Sequence, residues 1–394
     1  MKRSIYFDNS ATTKVCPQAV QAALTAMEEG FGNPSSLHGP GAAAARALTA
    51  ARHALSACLQ AKESEIYFTS GGSEGNNTVI HGAAAYWANK TGKRILVSAV
   101  EHPSVLEPAK YWAAKGYDVQ KIPVDEKGLI QLEALSALLN RETCLVSVMH
   151  VNNETGAVQP LAEIGERIRR LAPEALYHID GVQAFGRLPA QLSLWQADAY
   201  TLSGHKIHAP KGCGALWLRQ GKYLPPLILG GGQEKNLRSG TENMPGILAL
   251  AAAAEEICGR MQENDTAMRR IKNAFLQGLQ QADCPEWLIN GPDVAEAAPH
   301  ILNISFPGAK SEVLLHYLEG EGVYVSSGSA CSSHSQKVSH VLSAMGLSPG
   351  RIESALRFSF CPYNTVEEAE QAAKATAAAV REVQRMMGAG KKRR

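Results

Sequence analysis

Lys206 stands in the run Ala199-Tyr200-Thr201-Leu202-Ser203-Gly204-His205-Lys206-Ile207-His208-Ala209-Pro210-Lys211-Gly212. A short apolar stretch stops there at a hydroxyl, a glycine, a histidine and a lysine. The spacing predicts a strand over 199–202, with Lys206 in a constrained turn and not in a helix. Desolvation and the cationic neighbours His205, His208 and Lys211 favour its neutral amine, the form that attacks carbonyls and makes Schiff bases. Ser70-Gly71-Gly72-Ser73 lies between a strand and a helix, where N–H groups and the helix dipole converge on a point suited to phosphate. It matches neither the nucleotide P-loop nor the dinucleotide fingerprint. Asp180 ends an apolar strand in His178-Ile179-Asp180-Gly181-Val182-Gln183, where a carboxylate is costly unless paired; a protonated ring nitrogen is one partner. His102 precedes a proline and can stack on a planar ring, move protons or cap the helix that begins near Ser104. Each of these residues also has a plain structural reading: a loop lysine, a tight turn, a helix cap. Together they are what pyridoxal 5′-phosphate (PLP) requires.

The elements that must position them follow a rhythm. A strand over 4–7 ends in Asp8-Asn9-Ser10-Ala11-Thr12-Thr13, and Pro17 opens a helix to Glu29. A loop over 30–40 precedes a helix over 42–60. From Glu65 onward strands are expected at 66–69, 94–98, 119–124, 143–149 and 176–179. Helices are expected at 76–89, 104–115, 131–139 and 161–171. Strand, polar turn and helix repeated this way imply parallel crossovers and a doubly wound sheet, whose ligands sit at the carboxyl ends of the strands. The turns leaving those strands hold Ser70 to Ser73, His102, Asn153, Asp180 to Gln183, and Ser203 to Lys206. Beyond about residue 260 the texture becomes α+β, with helices at 267–281, 312–318 and 366–387 and strands at 300–306, 323–326 and 355–360. The expected division is a large domain over 16–260 and a smaller one built from 1–15 and 261–394.

Composition limits the partners. The chain has 394 residues, 45% hydrophobic and 19% charged, enough apolar material for two cores. A formal charge of +2 gives no argument for nucleic acid or a membrane surface as the main partner. No signal-peptide core follows Met1-Lys2-Arg3, and no run is apolar enough to span a bilayer. The eight cysteines are dispersed without a Cys-x-x-Cys pair, so neither a zinc ribbon nor a disulfide framework is expected, and no metal site. The natural setting is reducing and cytoplasmic. The tail Gly390-Lys391-Lys392-Arg393-Arg394 reads as frayed and solvated, or as a docking patch for acidic partners.

Several motifs together are more specific. Tyr6-Phe7-Asp8-Asn9-Ser10-Ala11-Thr12-Thr13, Asn33-Pro34-Ser35-Ser36-x-His38, Glu101-His102, Asn152-Asn153-Glu154-Thr155-Gly156, His178 to Gln183, Ser203-x-His205-Lys206, Arg238-Ser239-Gly240-Thr241 and Ser327-Gly328-Ser329-Ala330-Cys331 run in order. In this the chain resembles the cysteine desulfurases of the NifS/IscS kind, within the class V aminotransferase superfamily, from residue 5 to about residue 360. The resemblance implies a fold-type I PLP-dependent homodimer, with a large, mostly parallel sheet domain and a smaller α+β domain. It implies Lys206 joined to PLP, Asp180 at the pyridinium nitrogen, Gln183 at the ring hydroxyl and His102 stacked on the ring and moving protons. Gly72, Ser73, Ser203 and His205 would hold the phosphate, with Thr241 reaching in from the other subunit. Asn153 and Arg357 would bind the substrate carboxylate, the arginine by a bidentate pair.

Cys331 would decide the reaction. Its neighbours from Ser326 to Ser335 are small and polar, so a mobile exposed loop and a working thiolate are expected. The implied chemistry converts L-cysteine to L-alanine and leaves a Cys331 persulfide for an acceptor protein, an iron–sulfur scaffold or a thiolation enzyme. Departures from the pattern are modest: Ser73 stands where threonine is common and Ala209 where glycine is frequent, and Ser332-Ser333-His334-Ser335-Gln336 after Cys331 leaves the acceptor open. A selenocysteine lyase or another class V lyase or transaminase is the near alternative, and a non-catalytic scaffold the distant one.

Overall fold

Buried apolar runs punctuated by polar turns build the sheet that the sequence pattern requires. The computed structural model describes residues 4–327 and 338–391. It opens with β1 (Ile5–Tyr6), α1 (Pro17–Glu28) and α2 (Gly39–Leu59). Then come β2 (Ile66–Thr69), α3 (Gly72–Tyr86), β3 (Arg94–Ser98), α4 (Pro103–Ala113), β4 (Asp118–Ile122), α5 (Leu132–Leu138), β5 (Thr143–Met149), α6 (Leu161–Leu171), β6 (Leu176–Asp180), β7 (Ala199–Ser203) and β8 (Gly214–Leu218). Next are α7 (Met244–Gly259), α8 (Met261–Gln281), β9 (Leu288–Ile289), β10 (Ile301–Ser305) and α9 (Ser311–Gly320). β11 (Val323–Tyr324), α10 (His340–Ala344), α11 (Pro349–Glu353), β12 (Ala355–Ser359) and α12 (Val366–Lys391) complete the order.

The seven-stranded sheet has the order β2-β8-β7-β6-β5-β3-β4. Its central pairs are parallel, and only β8 runs against its neighbours β2 and β7. Because β8 reverses between them, β2 and β7 point the same way as β3, β5 and β6. All five therefore end on one edge. Apolar clusters cover both faces: Leu55, Ile164, Tyr200 and Leu250 belong to one, Val79, Ile80, Val105 and Leu145 to the other. Helices on two faces of a mostly parallel sheet make the architecture doubly wound.

A third cluster unites Phe7, Phe275, Phe358 and Phe360 with α9 and α12. Its rings meet edge-on or tilted, with centroids 4.9 Å apart for Phe7–Phe360 and 4.5 Å for Phe275–Phe358. It packs against the antiparallel sheet β12-β10-β9 and the parallel pair β1-β11. From β1 the chain crosses to the large sheet, where Thr13 N–H donates to His205 O (2.9 Å) and Cys16 N–H to His208 O (2.9 Å).

Three local outcomes differ from the pattern reading. α3 begins at Gly72, not Asn76, because Gly71 at φ 149° turns the chain and lets the helix start at once. α2 starts at Gly39, with His38 Nδ1 accepting from Gly41 N–H (3.3 Å) as its cap. β8 was not anticipated: its five buried residues follow a turn with Gly212 at φ 81°, and the run lacks alternation.

Candidate active site

The five strand ends, with β12 facing them, border a cavity of about 650 Å³. Gly72 and Ser73 after β2, His102 after β3, Asn153 after β5, Asp180 and Gln183 from β6, and Ser203, His205 and Lys206 from β7 all line it, as does Arg357 from β12. Thr241 is exposed and does not line the cavity. Cys331 lies outside the described residues.

Lys206 closes a single 3₁₀ turn, Gly204–Lys206, so it is not α-helical. Its Nζ donates to Ser10 O (2.5 Å) and Ala11 O (2.9 Å), carbonyls of the crossing segment after β1. Burial, followed by the charges of Lys206, Lys211, Arg187 and His102, pulls the His205 pKa down to about 4, leaving that imidazole neutral. The lysine thus meets cavity walls without adding a second cation at its nearest neighbour.

Asp180 is 4% exposed. Its Oδ2 accepts from Asn76 Nδ2 (2.7 Å) and its Oδ1 from Val182 N–H (3.0 Å). Burial raises its pKa, opposed by the Val182 N–H, His102, Asn76 and Lys206. Gly181 follows because an added Cβ would come within 1.9 Å of the Tyr200 ring. His102 caps α4: its Nδ1 accepts from Ser104 N–H (3.1 Å). A ring nitrogen that accepts carries no proton, so neutral His102 keeps its proton on Nε2. Burial lowers its pKa, with Asp180 opposing.

Arg357 is 5% exposed and heavily used. Nη2 donates to Asp8 Oδ1 (2.8 Å), Nη1 to Asn153 O (2.9 Å), and the buried Nε has no partner among the described residues. With five N–H bonds in the fork, three remain for a carboxylate. Behind it, Glu154 accepts from Ser339 Oγ (2.6 Å), and burial, opposed by Ser339 and Arg357, pushes its pKa up to about 7. The folded chain therefore keeps a proton that the unfolded chain loses above its ordinary carboxyl pKa. That stability is full below the unfolded value and is lost as pH rises toward 7. Glu154→Gln removes the titration, so its melting temperature is expected to fall a few degrees less than that of the unmodified protein between about pH 5 and pH 8. Parallel melting curves across that range would remove Glu154 as the titrating group.

PLP has an anionic phosphate, a ring nitrogen that takes a proton and an aldehyde that takes an amine. The cavity answers each. Gly71 and Gly72 open α3, whose first-turn N–H groups lack intrahelical acceptors, and a Cβ on Gly72 would come within 2.6 Å of Val182 Cγ2. Asp180 is a buried acid hydrogen-bonded only by neutral groups, and Lys206 is a half-buried amine across the same space. The residues present fit the group.

Sequence reasoning missed four contributors. Asn76 lies one helical turn after Gly72, a spacing that could have placed it on the cavity face. Glu101 is fully buried, with Oε1 accepting from Met149 N–H (2.6 Å) and Oε2 unpartnered; burial and then Asp180 raise its pKa far above the usual. Its signals were a carboxylate between apolar Val100 and His102 and its place in the Glu101-His102 motif. Asp8 and Arg187 reach the site through tertiary contacts that local sequence does not show.

The family profile described as aminotransferase class-V matches residues 5–372. The chain belongs to the class-V aminotransferase family, PLP-dependent enzymes of fold type I. It is 43% identical over 361 residues to a cysteine desulfurase of Trichormus azollae, covering 92% of this chain and 89% of that one. A solved NifS-like protein superposes with a TM-score of 0.89 at 35% identity, over 95% of this chain and 99% of that one. SspA, solved in complex with cysteine, gives 0.79 at 30% identity over 92% and 100%. The activity is that of a cysteine desulfurase, and PLP is its cofactor. No helix among the described residues is long and apolar enough to cross a membrane.

Proposed function

We propose that the enzyme converts L-cysteine to L-alanine and passes the sulfur to Cys331. The observation that carries this is the meeting of Lys206, Asp180, His102 and Arg357 in one cavity at the strand ends. PLP, when bound, supplies an electron sink conjugated to the substrate α-carbon. Gly72, Ser73, Ser203 and His205 would hold its phosphate, Asp180 would pair with its ring nitrogen, Gln183 with its hydroxyl and His102 would stack on its ring. Arg357 and Asn153 orient the substrate carboxylate, and Lys206 Nζ takes the Cα proton. His102, with its proton on Nε2, moves protons to and from the substrate. The Cys331 thiolate attacks the substrate sulfur. The Cβ–S bond breaks, Cβ gains a proton, Lys206 Nζ returns a proton to the same face of Cα, and the products are L-alanine and a Cys331 persulfide. Two equivalents of an external thiol then release sulfide and a disulfide, restoring Cys331.

The working form is a homodimer in which Thr241 of a second copy completes the phosphate site, consistent with its exposure here. A large domain over 16–260 and a smaller one from 1–15 and 261–394 clamp the substrate between them. The sulfur acceptor is an iron–sulfur scaffold or a thiolation enzyme, and the setting is cytoplasmic. The test is equimolar alanine and sulfide from L-cysteine with a reductant, without keto acid. In Arg357→Ala, kcat/KM for L-cysteine should drop ~10²-fold or more, mostly through KM, with part recovered in Arg357→Lys. An unchanged KM would place the carboxylate elsewhere.

A further inference from the structure

Arg187, in the turn after β6, is 4% exposed, and the cavity chemistry described so far does not use it. Its Nη1 donates to Gln183 Oε1 (3.2 Å) and its Nη2 to the backbone carbonyl of Lys206 (2.6 Å). Among the described residues no carboxylate stands within ion-pair distance of it, and burial favours the neutral form of the nearby Cys361 thiol. Burial pulls its pKa down to about 10. A buried cation with only neutral acceptors is a costly way to fill space, and an apolar side chain would do that better.

The arrangement has a directional consequence. A guanidinium only donates, so its bond fixes which end of the Gln183 amide is oxygen. Nε2 must then face the other way, where it donates to Ser10 O (3.0 Å), one of the two carbonyls that hold Lys206 Nζ. We propose that Arg187 is a positioning residue that keeps Gln183 presenting N–H to the cofactor's ring hydroxyl, seats the Lys206 backbone, and lends positive charge that favours the hydroxyl's anionic form. This assignment rests on Lys206 and Gln183 meeting PLP as proposed above.

The groups around Arg187 supply no competing anion. His205 and His208 follow β7, His300 precedes β10 and Cys361 follows β12. Burial holds the three histidines below their usual pKa and the thiol above its own. Asp180, His102 and Lys206 line the cavity together with Gln183.

The test is a spectroscopic titration of PLP-reconstituted protein from about pH 6 to pH 10. A nearby cation disfavours a proton on the nitrogen linking Lys206 to the cofactor, so removing it should raise the pH at which the visible band fades. Arg187→Met is expected to raise that midpoint by about one pH unit and Arg187→Lys by less, with PLP held about tenfold more weakly in Arg187→Met. Weaker PLP binding with an unmoved midpoint would mean a structural role only and overturns the proposal. Should Arg187→Met fail to fold, the pair Gln183→Met and Gln183→Met/Arg187→Lys decides. A double variant with the same midpoint as the single supports the shared path, and additive shifts overturn it. A wild-type protein without a visible band overturns this and the cofactor assignment together; a wild-type band with unshifted variants overturns this alone.

Discussion

Lys206→Ala is expected to cut L-cysteine turnover by at least ~10³-fold while the protein stays folded. Two roles vanish at once, the covalent tether and the base at Cα, and no neighbour can take both. Lys211 also borders the cavity, but it is exposed, whereas Lys206 is half-buried with Nζ tied to Ser10 and Ala11 carbonyls. With its pKa pulled down to about 4, His205 is a weak base and no substitute for Lys206, and its Nδ1 is engaged with Thr12 Oγ1 (3.3 Å). Borohydride reduction followed by peptide mapping checks the assignment directly. The pyridoxyl group should sit on residue 206 in the unmodified protein and be missing from Lys206→Ala. An adduct on Lys211 in the unmodified protein would falsify the role.

Lys206 and Asp180 were legible because each interrupts an apolar run at a point where topology puts a strand end. The rhythm of strand, turn and helix needed only local pattern, and it marks the edge of the sheet on which ligands bind. Boundaries were less legible where a cap decides them. Gly71 starts α3 through its backbone conformation, and His38 starts α2 through its ring nitrogen; neither leaves a hydrophobic period. The roles of Asn76, Glu101, Asp8 and Arg187 were not legible for another reason, although Asp8 and Glu101 stand inside quoted motifs. Asp8 is 349 positions from Arg357 and acquires meaning only when β1 and β12 come together. Arg187 carries no local signal, and its place shows only when Gln183 and the Lys206 carbonyl close around it. Thr241 shows the opposite limit: its motif is plain, yet one chain gives it nothing to hold.

In Cys331→Ala the visible band and cysteine binding should persist while sulfide release drops by ~10³-fold or more, because the acceptor of the substrate sulfur is gone. The described residues on either side of the Cys331 segment support this assignment. Ser326 borders the cavity and exchanges backbone hydrogen bonds with Arg357, N–H to O at 3.1 Å and O to N–H at 2.7 Å. On the far side Ser339 is bonded to Glu154, and the His340 ring to Glu101 O (2.9 Å). Both flanks are thus tied to the walls that would orient the substrate. No other described thiol can take over. Cys16, Cys144, Cys213 and Cys361 are buried, Cys58, Cys258 and Cys284 are partly so, and none of them lines the cavity. Burial pushes Cys144 and Cys213 up to about 12 and Cys284 to about 11, so they hold their protons at neutral pH. Labelled sulfur from L-cysteine should therefore be found on residue 331 of the unmodified protein and on no cysteine of the variant. Sulfide release at the unmodified rate from Cys331→Ala would route the sulfur through a free thiol in solution and leave Cys331 without a part in the reaction.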